Sequence, residues 1–554
     1  MGQEGGIKLG GTMSKRLVAV VLGIVLTTMT ALAIVPVSMR MRGFNPGLVG
    51  VVDDEYSDLF LNPAFINRID GNRVYTNLSN IHNFGQDLIF DPDYAPDLYY
   101  NLLGGVTSCP KSEILVGGLL ETGGYNSVMT ENEYYTDISG NETYIDTTTY
   151  VSTDKNLATA FDLFLGKRIS NYDVGLFLAP QSVIFEESEK TMENTYFYVN
   201  DTLNEYTHAS EDYIESEKQF MVPVMVGMIY GEPANEYSAS LAFAFDRGSS
   251  ILPTNYLMSD VIDSVQNYFQ SHYESYEKME QKEKYTGSYF NLTARNKHRY
   301  DDHSFSYLGT ISYCHEPITM SGIDSFYQLV TPSAGERSEL TAFATQSLKG
   351  AMNYLAIALG AGAEKHFDAM NTDNMFAIAV FPQFFTGVTK LTETPVDTNL
   401  TYWSNMPSRD TLAYTMYGTN GEFYNIKESF GGFGITVPLG LETHITNKLV
   451  LRLGATEEFT LKVKDQYEVS LADSGWKHVE TYTSPFDTVI TNQEPSNELD
   501  SYTRISESKS TFANYTSYYY GLGYKISDNI ELNLINYAQL TDLRTWVLGV
   551  NIKF

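Results

Sequence analysis

His298 and His303, with Asp301 and Asp302 between them, are the side chains in this chain best spaced to hold a metal ion, because imidazole nitrogen and carboxylate oxygen are ordinary ligands. Such His/Asp pairs are also common in solvated loops, and no metal is expected here. Asp91, Asp93 and Asp97 imitate part of a calcium loop but lack its glycine and distal glutamate. Ser275-x-x-Lys278 and Ser474-x-x-Lys477 match a nucleophile–base spacing by chance in polar stretches, and no Gly-x-Ser-x-Gly occurs. Cys109 and Cys314 make no disulfide framework and are expected to stay unpaired. No enzymatic activity and no cofactor are expected.

The residues with more to say are backbone-shaping ones. Pro180, Pro223, Pro382 and Pro438 each sit inside an apolar run that reads as a strand. Proline removes a ladder hydrogen bond, so strand interiors tolerate it at edges or bulges. In a sheet closed on itself the expected places are bulges, or gaps in the wall through which an apolar molecule could leave sideways.

Near the front lies Gly47-Leu48-Val49-Gly50, then the acidic Asp53 and Asp54, then Asn62-Pro63-Ala64. Asn caps local backbone and Pro fixes φ, so the triplet makes a rigid bend. The segment resembles the start of the outer-membrane long-chain fatty-acid and hydrocarbon transport barrels, although Phe65-Ile66 replace the small residue and Leu or Met that usually follow. The resemblance implies an N-terminal hatch folded inside a barrel, passage of hydrophobic small molecules, and sideways exit through the wall. It touches Asn62, Pro63 and Ala64, and more loosely Asp53 and Asp54.

The elements that must carry these residues are strands. Trp546, Leu548, Val550, Ile552 and Phe554 alternate with Val547, Gly549, Asn551 and Lys553, which gives one apolar and one wetter face. An ending on Phe554 also resembles the signal read by the barrel-assembly machinery. In 449–455, Leu449, Leu451, Leu453 and Ala455 face one way and Val450, Arg452 and Gly454 the other. In 530–537 the phase breaks after Leu534, and a bulge is expected there. Several runs (Ile114–Leu120, Met221–Ile229, Leu241–Phe245, Met375–Phe385) are apolar on both faces, so the interior is greasy or packed against a plug. Tight turns near 167–174, 445–449 and 525–530 alternate with long polar stretches near 122–155, 188–218, 248–302, 389–427 and 465–510. Within 248–302 a helix is expected, capped by Ser259, with Val261, Val265, Tyr268, His272, Tyr276 and Met279 on one face.

These features predict an all-β fold: a closed antiparallel transmembrane β-barrel of about 14–16 strands, with an N-terminal plug and long extracellular loops. Segments 303–315 and 321–330 read as separate strands. Residues 1–33 are expected to be a signal peptide with an upstream extension, on Lys15, Arg16, the apolar run from Leu17 and the Ala31-Leu32-Ala33 site. Residues 34–71 form the plug segment and 72–554 the barrel. The 13% aromatic content, with 41 Tyr against 3 Trp, suits strands crossing two membrane interfaces. A net charge of −32 excludes nucleic acid as a partner. The expected surroundings are outer-membrane lipid and lipopolysaccharide, with a hydrophobic small molecule as solute and divalent cations at the acidic loops. An adaptor barrel that displays those loops to other proteins, or a general porin, fits the same pattern.

Overall fold

Alternating apolar residues need two unlike surroundings, and the chain supplies them by closing one sheet into a cylinder. A computed structural model describes residues 37–78, 101–109, 114–199, 202–264, 269–331, 337–369, 372–393, 396–405, 411–420, 424–471, 477–484, 487–493, 503–507, 510–536 and 546–554. The expected signal peptide and the Asp91, Asp93 and Asp97 cluster lie outside the described residues. The strands of the first half are β1 (Arg73–Leu78), β2 (Asn101–Cys109), β3 (Ile114–Ser139), β4 (Glu142–Ile169), β5 (Tyr172–Leu178), β6 (Gln181–Val199), β7 (Thr202–Glu232), β8 (Asn235–Ser264), β9 (Phe269–Arg299) and β10 (His303–Thr331). The second half comprises β11 (Arg337–Ala369), β12 (Thr372–Glu393), β13 (Val396–Asn405), β14 (Thr411–Asn420), β15 (Tyr424–His444), β16 (Leu449–Leu471), β17 (Lys477–Ser484), β18 (Asp487–Gln493), β19 (Thr503–Glu507), β20 (Thr511–Ser527), β21 (Ile530–Asn536) and β22 (Trp546–Lys553).

Consecutive neighbours pair antiparallel, and β22 returns to β1 through Arg73↔Lys553 to Leu78↔Leu548. Several labelled segments are pieces of one long strand: β5 runs on into β6, because β4 pairs with both. Counted that way, the wall is a closed barrel of 16 strands. Closure leaves no edge, the condition for a sheet to cross lipid with every backbone group paired.

The outside carries a belt of exposed apolar side chains between two aromatic rings. Tyr172, Tyr230, Tyr237, Phe305 and Tyr524 lie toward the short turns, and Phe161, Phe220, Phe245, Tyr313, Phe384 and Phe433 lie further along the same strands. Between them stand Val226, Met228, Phe243, Leu292, Ile311, Leu359, Ile378 and Leu453, all exposed. Such a band in water would be an aggregation site, whereas in lipid it is the barrel's membrane-facing surface.

Several expectations change. The expected helix in 248–302 is absent from its described residues: they complete β8 and form β9, whose Phe269–Arg299 ladder pairs β8 on one side and β10 on the other. Segments 303–315 and 321–330 are one strand, β10. The two errors offset in the strand number. The long polar stretches are mostly not loops either, for β3, β4, β7, β8, β9, β10 and β11 are 26–33 residues long. About ten residues cross a membrane, so these ladders continue well beyond it as a tall extension. No bulge interrupts the β21–β22 ladder. Ile535 keeps the inward parity and is 4% exposed against Gly43, so an interior apolar contact, not a change of phase, explains it.

Candidate functional site: the plugged lumen

Residues 37–69 coil inside the barrel. Two short helices, α1 (Met39–Phe44) and α2 (Glu55–Leu61), alternate with 3-10 turns at Pro46–Leu48 and Pro63–Arg68. Ser38 caps α1 and Asp54 caps α2, the latter accepting from Ser57 N at 2.9 Å. Each 3-10 turn starts with an asparagine followed by proline, whose fixed φ and missing N–H suit a first helical position.

The two asparagines do the same work at two places on the wall. Asn62 donates through Nδ2 to the carbonyls of Met228 (3.2 Å) and Ala239 (3.0 Å), which face each other across β7 and β8. Its Oδ1 accepts from Ala64 N at 3.0 Å. Asn45 donates to Leu439 O (3.0 Å) and Ala455 O (2.9 Å), again a directly opposed pair, across β15 and β16. Its Oδ1 accepts from Gly47 N at 2.8 Å and from Thr456 Oγ1 at 3.0 Å. Both side chains are fully enclosed, with Asn45 0% and Asn62 2% exposed. Asn45-Pro46-Gly47 is thus a second copy of Asn62-Pro63-Ala64. The repeated Asn-Pro is the mark it leaves in the sequence. Close approach requires a bare wall: any Cβ at Gly227 would collide with Asn62, one at Gly175 with Pro63, and one at Gly454 with the Phe44 carbonyl.

Apolar packing fills the rest. Tyr56, Leu59, Phe60, Phe65 and Ile66 pack on Val106, Leu119, Phe164, Phe177 and Ile229 of the wall. On the other side Met41, Phe44, Leu48, Val51 and Val52 pack on Met375, Ala377 and Ala379. The inward residues that made runs 221–229 and 375–385 apolar on both faces therefore largely serve plug contacts.

Charge fixes the acidic stretch. Arg295, Lys297 and Arg299 alternate along β9 and converge on Asp53, with Oδ1 at 3.0, 2.9 and 2.8 Å respectively. Lys297 also donates to Val51 O at 2.7 Å and pairs with Glu364 at 3.1 Å. Arg295 reaches Asp58 at 3.3 Å. Desolvation would raise the Asp53 carboxyl, whose side chain is still 46% exposed, but the Arg299 hydrogen bonds and the Lys297 and Arg295 charges outweigh it and hold it well below the usual carboxylate range. Asp58 goes the other way: burial, opposed by Arg295 and aided by Asp53 and Asp54, pushes it up to about 7. Asp54 accepts from Ser38 Oγ at 2.9 Å and lies 3.9 Å from Arg40, which in turn pairs with Glu442 at 3.1 Å. Arg73 grips Glu55 with two hydrogen bonds of 2.8 and 3.0 Å, and Arg68 meets Asp173 at 2.7 Å. The three cations on β9 went unseen because that segment read as loop.

Beside and above the plug lies a cavity of about 1270 Å³. Its lining begins at Tyr289, Cys314, Met352 and Tyr354, passes Asp53, Asp54 and Tyr56, and ends at Lys525, Asp528 and Lys553 on the short-turn rim. Further up, Tyr285, Ile318, Met320, Leu348, Leu391 and Ile426 form an apolar layer along the wall. Cys314 is buried and free.

The four prolines are not equivalent. Pro438 pairs with Thr456 and packs against Gly47 of the plug. Pro382 lies where the β11–β12 ladder skips from Ala358↔Gln383 to Ala361↔Val380, and the Phe381 ring covers Gly360 there. Pro180 sits in the break between β5 and β6, next to Pro223 on β7, and Pro223 lines the cavity. None is a bulge, since the register is the same on both sides of each interruption. Phe161 N donates to Pro180 O at 3.1 Å and Ala179 N to Pro223 O at 3.0 Å, so backbone bonds still cross the break. His303 bonds Asp302 at 2.6 Å and His298 bonds Asn235 at 2.7 Å, which leaves those histidines in separate local pairs. Among the described residues, no group of three or more His, Cys, Asp or Glu could hold a metal ion.

At the other end of the chain, Gly549 faces inward onto Met39, which turns Leu548, Val550 and Ile552 outward, and Phe554 is 70% exposed. No family model and no curated protein matches this chain. Among solved structures it is similar to the siderophore receptor PirA of Acinetobacter baumannii, at 8% identity over 87% of this chain and 80% of that one, with a TM-score of 0.18. It is similar also to the ferric enterobactin receptor PfeA of Pseudomonas aeruginosa, at 9% identity over 87% and 80%, with a TM-score of 0.21. The ferric-catecholate import receptor Fiu of E. coli K12 aligns at 8% identity over 88% and 82%, with a TM-score of 0.18. Superpositions that loose carry no argument about what this chain binds; the barrel stands on its own hydrogen-bonded ladder.

Proposed function

We propose that the protein is a plugged outer-membrane channel for the uptake of small molecules with apolar surface. The observation that carries this is the cavity of about 1270 Å³, whose lining extends from the apolar layer, past the plug, to the short-turn rim. It exceeds the roughly 300–1,000 Å³ of ordinary small-molecule pockets. Its wall mixes Phe177, Met221, Met225 and Tyr289 with Gln181, Asn291 and Asp246, so it suits a solute with an apolar body and a few polar groups. The placement of the rim at the periplasmic side follows from the general asymmetry of such barrels, whose short turns face inward to the cell.

Two exits are available to a solute in that cavity. The path beside the plug, between Asp54, Glu55 and Arg73 on one side and Glu531, Asn533 and Asn551 on the other, is lined by the same cavity and is the better supported. Sideways exit between β5/β6 and β7 has one favouring observation: the adjacent Pro180 and Pro223 thin the ladder beside the cavity. Reconstituted protein tests both. Uptake of a fluorescent alkyl probe into proteoliposomes should exceed that of a sugar of equal size, and bulk at the rim, as in Asn551→Trp, should slow it. Equal rates for probe and sugar would overturn the apolar-solute reading. If Pro223→Val slows uptake and Asn551→Trp does not, the exit is sideways.

A further inference from the structure

Just beyond the upper aromatic ring, the wall over β8–β12 sorts its charges by face. In residues 246–251, 282–287, 315–321, 347–353 and 386–393 every carboxylate points inward and is buried: Asp246 at 4%, Glu283 at 3%, Glu316 at 1% and Glu393 at 2% exposure. Every Lys and Arg in the same stretches is exposed on the outer face, namely Arg247, Lys282, Lys284, Lys349 and Lys390. The ladder sets their spacing. Ser249, Lys284, Thr319, Lys349 and Thr392 form one outward row, each opposite the next, and Lys390 stands opposite Ala351 one step below.

A chain with a net charge of −32 has carboxylates to spare for pairing with surface cations. Here Arg247, Lys284, Lys349 and Lys390 make no ion pair among the described residues, and the outer face between them is Ser, Thr, Pro and Ala. Lysines two strands apart are about 10 Å from each other, with a hydroxyl between them. That is a donor surface for several anionic groups held side by side, set directly outside the apolar belt.

We propose that this face is a binding surface for the phosphate groups of the phosphorylated glycolipid in the leaflet on the long-hairpin side. The occupant follows from position and charge. The patch faces away from the lumen, so a transported solute never meets it, and it adjoins the surface that lipid tails cover. A second copy docked through the same face would set lysine against lysine, which disfavours it. The proposal rests on the membrane-spanning reading but not on the identity of the solute, and loss of solute flux with lipid retention intact would leave it standing.

The test uses the full-length protein, purified from vesicles containing lipopolysaccharide or the same lipid after enzymatic dephosphorylation, with bound lipid counted after gel filtration. The wild type should retain the phosphorylated lipid and lose it in high salt. K284Q/K349Q/K390Q should bind the lipid about a hundredfold more weakly, given about fivefold from each lysine near an anionic surface. K284R/K349R/K390R, which keeps the charge, should retain as much as the wild type and shows that the triple site tolerates substitution. Equal retention by the Gln variant, equal retention of the dephosphorylated lipid, or displacement by inorganic phosphate at the concentration of the lipid would each overturn it.

Discussion

Asp53 is the residue on which the plug's electrostatics turn, because three cations of one strand meet a single carboxylate. Removing that charge leaves Arg295 and Lys297, which are 3% and 0% exposed, facing each other without their shared partner. Arg295 keeps Asp58 and Lys297 keeps Glu364, so Asp53→Asn should loosen the plug by about 1–3 kcal/mol, the cost of lost charge-assisted hydrogen bonds, read as protease access to residues 37–69. Asp53 and Asp58 respond to pH in opposite senses. Asp53 titrates lower docked than free, so its contribution is present above about 4 and is lost only well into acid. Asp58 rises from 3.8 to about 7 on docking, so its contribution is full below the lower value and fades as pH climbs through the upper one. Plug release should increase from about pH 4 to about pH 7 and level off above that. Asp58→Asn, which mimics the protonated acid, should flatten that rise; an unchanged profile would remove Asp58 as its source. The Asn-Pro turns give a third expectation at this scale. Asn45→Ala and Asn62→Ala each remove the donor that links two strands, at a cost of about 1–3 kcal/mol. Gly454→Ala should be as damaging as either, because its new methyl meets the Phe44 carbonyl.

At the scale of elements, the plug and the strands it touches explain what could be read from sequence. The clean alternation of 449–455 survives intact: Arg452 points inward to Glu442 at 2.7 Å while Leu453 faces out. There, lipid enforces the outer face. Further up the hairpins no lipid enforces a period of two. Val261, His272, Tyr276 and Met279 could then fall at helical spacing by accident while belonging to β8 and β9. The inward face of β9 was obscured differently. Glu283, Tyr285, Tyr289, Arg295 and Lys297 mix charge with aromatics because their partners are plug and neighbouring wall, which no local pattern records. If the plug closes the lumen as its contacts indicate, deletion of residues 37–69 should raise single-channel conductance several-fold in planar bilayers, with the barrel still folded. A conductance equal to the wild type would mean that the path beside the plug already sets the current.

For the molecule as a whole, the wall is one hydrogen-bonded ring and should unfold as such. Unheated protein should run compactly on detergent gels and shift only on boiling, because no edge exists from which the ladder can fray. The strands that meet at β1 and β22 come from opposite ends of the described chain. Their hydrogen bonds form last in any plausible order, since joining distant segments costs loop entropy before any contact repays it. The plug is made before every strand, and it carries binding sites for both halves: Asn62 for β7 and β8, Asn45 for β15 and β16. A segment that captures early strands and later ones on the same small core shortens the search for the final seam. The piece that obstructs the finished channel is then also its assembly jig, and chains lacking it should close more slowly even where they close correctly.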